Sequence, residues 1–444
     1  MSDFTRRALL QGGTALAATG MLTGPALFEF AKAWAQSAQW KAEPGAKLTV
    51  MRWKRFVPSE DEAFNAIVAA FKSATGTEMN VFSESFDDLQ PKASVAASTG
   101  SGLDIAWGLH TLPQLFPTKV VKMNDVADYL GNKYGGWTDA AAKTCKLGND
   151  WLGIPVATNG GYMNYRKSAL DKAGFRDFPT DFTGFLELCK AMKANNTPAG
   201  FALGHASGDG NAWLHWILWG HGAYTVDEQD KVIINSPETM RALEYCKALS
   251  DTFIEGCASW NDSSNNKAFL AGDLHLTANG ISIYVAAKTA GKGGDAKQQA
   301  IADDMDHAYF PVGPLGKPAE LQLAFPILAF NFTKVPNAAK AFVAFMMEAQ
   351  NYNPWLEGAQ GYLSHTLAAY DANPVWTADP KTTVFRDAAK RTLPASGLGT
   401  LSPKVAAAIA DFLVVDMFAR YCTGQEDLKT TMKTAERAAQ RIFR

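Results

Sequence analysis

The sequence predicts an α/β fold in two domains, and three observations carry that prediction. Short apolar runs alternate with segments of helical period along the chain. The 444 residues exceed the size at which a single hydrophobic core keeps growing. No repeat or low-complexity tract interrupts the alternation.

The first segment reads as a leader outside the fold. Thr5-Arg6-Arg7-Ala8-Leu9-Leu10 opens an apolar, small-residue stretch to about Leu27, and Ala33-Trp34-Ala35 offers a small-x-small cleavage site. Paired arginines followed by alanine and two leucines are the twin-arginine form of export signal, which serves chains that cross already folded. Residues 1–35 are therefore expected to be removed, leaving about 409 residues. No later stretch stays apolar for the ~18 residues a spanning helix needs, so the remainder is expected to be soluble beyond the inner membrane, in the periplasm.

Lys47–Trp53 reads as the first strand. Pro58-Ser59-Glu60-Asp61-Glu62 then supplies a capping box, Ser59 facing Glu62, ahead of Phe64, Ile67, Val68 and Phe71 at helical spacing. Met79 and Val81 alternate in a second strand. An Ala/Ser-rich helix over 88–98 closes at Gly100 and Gly102, and 103–107 makes a third strand. This is a βαβαβ opening. Later helices start at Thr180 or Asp181, at Ser236-Pro237 with serine as cap, and after Pro336 with Ala338, Phe342, Phe345 and Met346 inward. Trp216 and Trp219, spaced i and i+3, read as core.

The formal net charge is −2, and setting aside Arg6, Arg7 and Lys32 with Asp3 and Glu29 makes it about −3, which argues against nucleic acid or anionic lipid as the main partner. Cys145, Cys189, Cys246, Cys257 and Cys422 lie at no metal-ligand spacing. Cys246 and Cys257 are the one pair close in sequence and the expected bridge if one forms, with buried free thiols as the alternative. No H-E-x-x-H, Cys-x-x-Cys or strand-to-helix Gly-x-Gly-x-x-Gly occurs, so neither metal nor cofactor is expected.

Five segments in register resemble a known family. They are Thr99-Gly-Ser-Gly-Leu-Asp-Ile-Ala-Trp107-Gly-Leu-His110; the run from Trp151 through Gly153-Ile-Pro155, Asn159 and Tyr162 to Tyr165-Arg-Lys167; Asn235-Ser-Pro-Glu238; Ala268-Phe-Leu-Ala-Gly272 through Asn279-Gly280; and Phe310-Pro311-Val-Gly-Pro-Leu-Gly316-Lys317. Together they are similar to carbohydrate-binding proteins of bacterial ABC importers, the family of maltodextrin-binding protein, with Arg166 where that family usually has asparagine. The resemblance implies a type II periplasmic binding protein fold, two α/β lobes with a ligand cleft between them. It places lobe one at 46–156 plus 310–350 and lobe two at 157–309 plus 351–444, with crossings near 155–159, 307–311 and Asn353. It further implies a non-enzymatic receptor, expected to be a monomer, that delivers a small carbohydrate or polyol to an ABC permease and its ATPase.

Sugar binding asks for aromatic faces against pyranose C–H surfaces and for polar side chains that pair with desolvated hydroxyls. The candidates at strand ends and crossings are Trp53, Arg55, Trp107, His110, Asn159 and Tyr162. The second lobe would add Asp209, Asn211, Trp213, Trp260, Asn279 and Tyr284. Where the family carries a stacking tryptophan after Gly280, this chain reads Ile281-Ser282-Ile283-Tyr284, which favours a smaller sugar, polyol or sugar derivative. Two rival classes are weaker. A glycosidase could draft Glu84, Asp87 and Asp88, but acids there also suit a helix start. A metal protein could use His205, His215 and His221, of which the last two fall on different faces of a helix.

Overall fold

The computed structural model describes residues 24–54, 56–160, 162–398 and 401–444. In chain order the strands are β1 Lys47–Trp53, β2 Glu78–Glu84, β3 Ile105–Trp107, β4 Lys146–Leu147, β5 Asp150–Trp151, β6 Ile154–Asn159, β7 Tyr162–Arg166, β8 Leu276–Asn279, β9 Met305–Tyr309, β10 Glu320–Leu321, β11 Leu323–Ala329 and β12 Thr392–Leu393. The larger sheet has the order β2-β1-β3-β11-β6, and β8-β7-β9 form a smaller one. Parallel pairing of β1 with β2 and β3, Val50 opposite Val81 and Ile105, is the expected βαβαβ opening. β11 runs antiparallel to both β3 and β6, and the smaller sheet is antiparallel throughout.

Every residue of β11 is buried, as expected of a strand covered on both faces. Phe64, Ile67 and Phe71 of the helix Pro58–Thr75 face this sheet, and Phe71 meets Phe342 of the helix Pro336–Met346 at 5.3 Å. The expected capping box does not form. Val57 holds the cap position, Ser59 donates to the Gly358 carbonyl at 2.6 Å, and Glu60 turns inward to Arg52 at 2.7 Å and to Trp355 Nε1 at 2.6 Å. Packing of Ala349–Gly358 on this helix presents partners that outcompete the local cap. Elsewhere the caps are as expected, Asp181 accepting from Gly184 N and Ser236 from Thr239 N.

The chain first crosses between the sheets at Asn159 to Tyr162, between β6 and β7, and returns through 310–322, between β9 and β11. Its third passage comes later than Asn353. Ala349–Gly358 still packs on Pro58–Thr75, Ser364 bridges to Thr158 of β6, and only the 3₁₀ helix Pro380–Asp387 reaches β9. Nor does the C-terminal segment stay with one sheet. Pro403–Ala410 packs on Leu112–Leu115, whereas Leu413–Cys422 packs on Pro237–Ser250 and on Asp209–Gly220.

Two further expectations change. A helix, Pro25–Ser37, lies on Pro58–Thr75 with Leu27, Ala31 and Trp34 buried, and Trp34 Nε1 donates to Glu348 at 3.2 Å. The end of the expected 1–35 leader thus belongs to the packed fold, because apolar residues at i, i+4 and i+7 make a helix face. Arg6, Arg7 and the rest of the leader through residue 23 lie outside the described residues. Cys246 does not meet Cys257, whose thiol donates to the Ile254 carbonyl; its neighbour is Cys422. Among the described residues no helix is long and apolar enough to cross a membrane.

Candidate functional site

A cleft of about 560 Å³ opens where the two sheets face each other. Its first wall is aromatic. Phe56 follows β1 and Phe86 opens the helix after β2, so both sit beyond the carboxyl ends of parallel strands, the position where α/β sheets hold ligands. The Phe56 and Phe86 rings stack at 5.4 Å and 26°, and Tyr362 continues the surface at 5.7 Å from Phe56.

The facing wall is polar. Asn159 ends β6, Asn279 ends β8, Ser282 starts the next helix, and Asp209 opens the helix Asp209–Gly220. Asn279 donates to Asn266 and accepts from Gly280 N at 2.6 Å, which fixes its amide orientation. A side chain on Gly280 would come within 2.7 Å of Asn159 Nδ2, so glycine there lets the two asparagines share one wall. Asp262 accepts from the backbone N–H groups of Gly208 and Asp209 at 3.0 and 2.7 Å, filling donors that a helix start leaves free. Asp209 in turn accepts from Asn265 Nδ2 at 2.8 Å.

Burial, then the neighbouring Asp262, pushes the Asp209 carboxyl well above the usual range. Burial also raises Asp262, against the pull of the Asp209 and Gly208 N–H donors. One of the two carboxyls can then hold a proton and donate while the other accepts. Among the described residues lining this cleft there is no Lys, Arg or His.

A second cavity of about 750 Å³ shares Phe86 and Leu109 with the first. His110, 1% exposed, has no partner on either ring nitrogen, and burial lowers its pKa to about 3. It is a neutral imidazole with one donor and one acceptor to offer. Asn211 donates to the Ser207 carbonyl while its Oδ1 is unpartnered. Phe412, in a left-handed conformation at φ 56°, stacks on His205 at 4.3 Å on the far side.

Of the sequence candidates, Asn159, Asp209 and Asn279 line the first cleft, and His110 and Asn211 line the second cavity. Arg55 lies outside the described residues. The remaining aromatics do not line either space. Trp53 and Trp107 are fully buried, packed edge to face at 4.6 Å, and Trp107 Nε1 donates to the Phe325 carbonyl. Trp213 is equally buried, with its indole N–H on the Ala202 carbonyl at 2.6 Å. Tyr162 packs on Phe385 at 4.3 Å, Trp260 lies against Gly200, and Tyr284 donates to Asp379 at 2.6 Å. Sequence reasoning missed Phe56, Phe86, Asp262 and Tyr362. Phe56 follows β1 three residues after Trp53, and Phe86 follows β2, so the aromatics that line the cleft lie just beyond strand ends, while Trp53 and Trp107 close β1 and β3 inside the core. His215 and His221 each bond the carbonyl one turn back, at 2.8 Å.

The sequence model of the bacterial extracellular solute-binding proteins matches residues 66–384. A probable ABC transporter-binding protein of Deinococcus radiodurans is 24% identical over 275 residues, 57% of this chain and 61% of that protein, so the match spans less than two thirds of the relative's length. Two solved structures share the fold. A sugar transporter from Arthrobacter chlorophenolicus A6 with bound laminaribiose superposes with a TM-score of 0.74 at 18% identity, over 89% of this chain and 99% of that one. Maltose-bound MalE3 of T. maritima gives 0.75 at 17% identity, over 90% and 100%. Family and structural neighbours are substrate-binding proteins, not enzymes. With two sheets facing across a cleft lined by aromatic and polar side chains, the chain belongs to the bacterial extracellular solute-binding proteins.

Proposed function

We propose that this protein captures a small, neutral sugar or polyol between two closing lobes and delivers it to an ABC permease and its ATPase. The observation that carries the reading is the division of the cleft: the Phe56, Phe86 and Tyr362 rings on one wall, Asn159, Asp209, Asp262, Asn279 and Ser282 on the other. A polyhydroxylated ligand has the same two characters, C–H faces that pack on rings and hydroxyls that need partners once stripped of water. The negative charge that the Asp209–Asp262 pair keeps on the carboxyl that stays ionised, with no cation among the described lining residues to offset it, disfavours phosphorylated or sulfonated ligands. The laminaribiose and maltose bound by the structural neighbours support a carbohydrate class.

The lobes follow the two sheets, with Gly160 among the crossing residues that absorb the hinge motion. A ligand that touches both walls binds the closed form better. Moving the population from mostly open to mostly closed takes a difference of about 5.5 kcal/mol, within the ~8 kcal/mol of a micromolar complex. The paired arginines Arg6 and Arg7 support twin-arginine export to the periplasm, where the receptor works as a monomer.

A thermal-shift panel of neutral monosaccharides, disaccharides and polyols beside their phosphorylated counterparts tests the ligand class. Ligand at 100 times its dissociation constant adds about 2.7 kcal/mol to stability, enough to raise the midpoint measurably. Shifts confined to phosphorylated sugars, or none with any neutral sugar or polyol, would sink the reading. Small-angle scattering with the responding ligand should show a smaller radius of gyration; an unchanged profile would remove lobe closure.

A further inference from the structure

Two of the five buried cysteines lie side by side. The sulfurs of Cys246 and Cys422 are 3.6 Å apart, the first inside the helix Pro237–Ser250 and the second ending the helix Leu413–Cys422, and the two helices pack together. We propose that Cys246 and Cys422 form a disulfide cross-link when the chain meets an oxidising compartment. The bond is ~2.05 Å long, and sulfurs already 3.6 Å apart lie close to that length, whereas distant cysteines can be bridged only by moving the backbone.

The chemistry is thiol–disulfide exchange with a disulfide oxidant, and its order follows from exposure. Cys422 retains 8% of its surface at a helix end, whereas Cys246 has none. The Cys422 thiolate attacks one sulfur of the oxidant, forming a mixed disulfide and releasing one thiolate. Cys246 gives its proton to that thiolate, attacks the Cys422 sulfur and expels the second. Two protein thiols are oxidised, and one oxidant disulfide is reduced to two thiols. Contact with Cys246 and the nearby Lys247 hold the Cys422 thiol below its ordinary value, which suits it to the first attack.

The bond would join positions 176 residues apart and tie the C-terminal helices to the unit carrying the ligand wall. Leu413–Cys422 packs on Asp209–Gly220, whose first residue lines the cleft, and Phe412 of the second cavity immediately precedes the pinned helix. A cross-link there fixes the back of that wall while leaving the crossings free.

The test uses the full-length chain, purified reduced, incubated with oxidised glutathione, alkylated in denaturant without reductant and digested with trypsin. The expected result is one species joining peptides 242–247 and 421–429, separable by reduction, with the other three of the five cysteines alkylated. Cys422→Ser should abolish that species and leave Cys246 alkylated. Alkylation of all five after oxidation, glutathione retained on Cys422 alone, or Cys246 joined to Cys257 would each overturn the proposal.

Discussion

Asp262 accepts the backbone N–H of Asp209 at 2.7 Å, which sets two carboxyls side by side at one helix start on the cleft wall. Both are raised above their ordinary value, chiefly by burial. A carboxyl whose folded value is raised stabilises the fold fully below its unfolded value, and that contribution is lost as pH rises through the folded value. The ligand-free protein should therefore lose stability from the pair as pH climbs above the ordinary carboxylate range. Asp209→Asn keeps an acceptor for Asn265 and removes the charge. It should stabilise the protein at about pH 8 by roughly 1 kcal/mol or more and gain little at about pH 5. Urea midpoints at the two pH values check this; an equal effect at both would show that Asp209 is not held protonated.

The aromatic wall and the tryptophan core should separate cleanly by mutation. Phe56 is only partly buried and faces the cleft, so Phe56→Ala should weaken ligand binding about tenfold, near 1.4 kcal/mol, and cost little stability. Trp107 is fully buried among Trp53, Phe64 and Trp355, so Trp107→Ala should destabilise by about 3–5 kcal/mol. Calorimetric binding with chemical denaturation of each variant gives both numbers. A stable Trp107→Ala protein with lost affinity would reverse the assignment.

The opening β1, β2 and β3 were legible because strand alternation and glycine stops are local signals, and so were Asn159, Asp209 and Asn279, polar residues at ends of elements. The helical spacing of Trp216 and Trp219 also marked them as core, and both are buried. Trp107 and Trp213 were not legible: an indole buries cheaply when its N–H finds a carbonyl, as theirs do with Phe325 and Ala202, and no sequence pattern announces that partner. Tyr362 and Asp262 reach the cleft from the third passage and from the short segment between Cys257–Ser259 and Ser264–Ala271, so only tertiary structure places them. Trp34 was hidden for another reason: its apolar helix face has the composition of a leader.

Gly280 and Asn159 should behave as one unit. The Cβ of Gly280→Ala would stand 2.7 Å from Asn159 Nδ2 and drive that amide out of its place on the cleft wall. About tenfold weaker binding is expected from Gly280→Ala and from Asn159→Ala, and the double variant should be no worse than either. Titration calorimetry on the four proteins measures the coupling; additive losses would mean that the glycine acts on the site by another route.

The helix Pro25–Ser37 makes the last prediction, because it turns the leader boundary into a stability question. Leu27 and Trp34 are 4% and 7% exposed, and Trp34 lies 5.0 Å from Phe345 while its N–H reaches Glu348. Burying a side chain of the Leu or Phe class is worth about 1.5–3 kcal/mol, so a chain beginning at Gln36 should be less stable than one beginning at Gly24 by about 3 kcal/mol or more. Glu348 keeps its hydrogen bonds from Tyr129, Tyr134 and Lys133 in the shorter chain, so the loss is mainly of packing. Trp34→Ala in the longer chain should reproduce much of the difference. Urea unfolding of the three proteins decides it: equal midpoints would mean that the helix contributes nothing to the fold and that cleavage after Ala35 leaves the receptor intact.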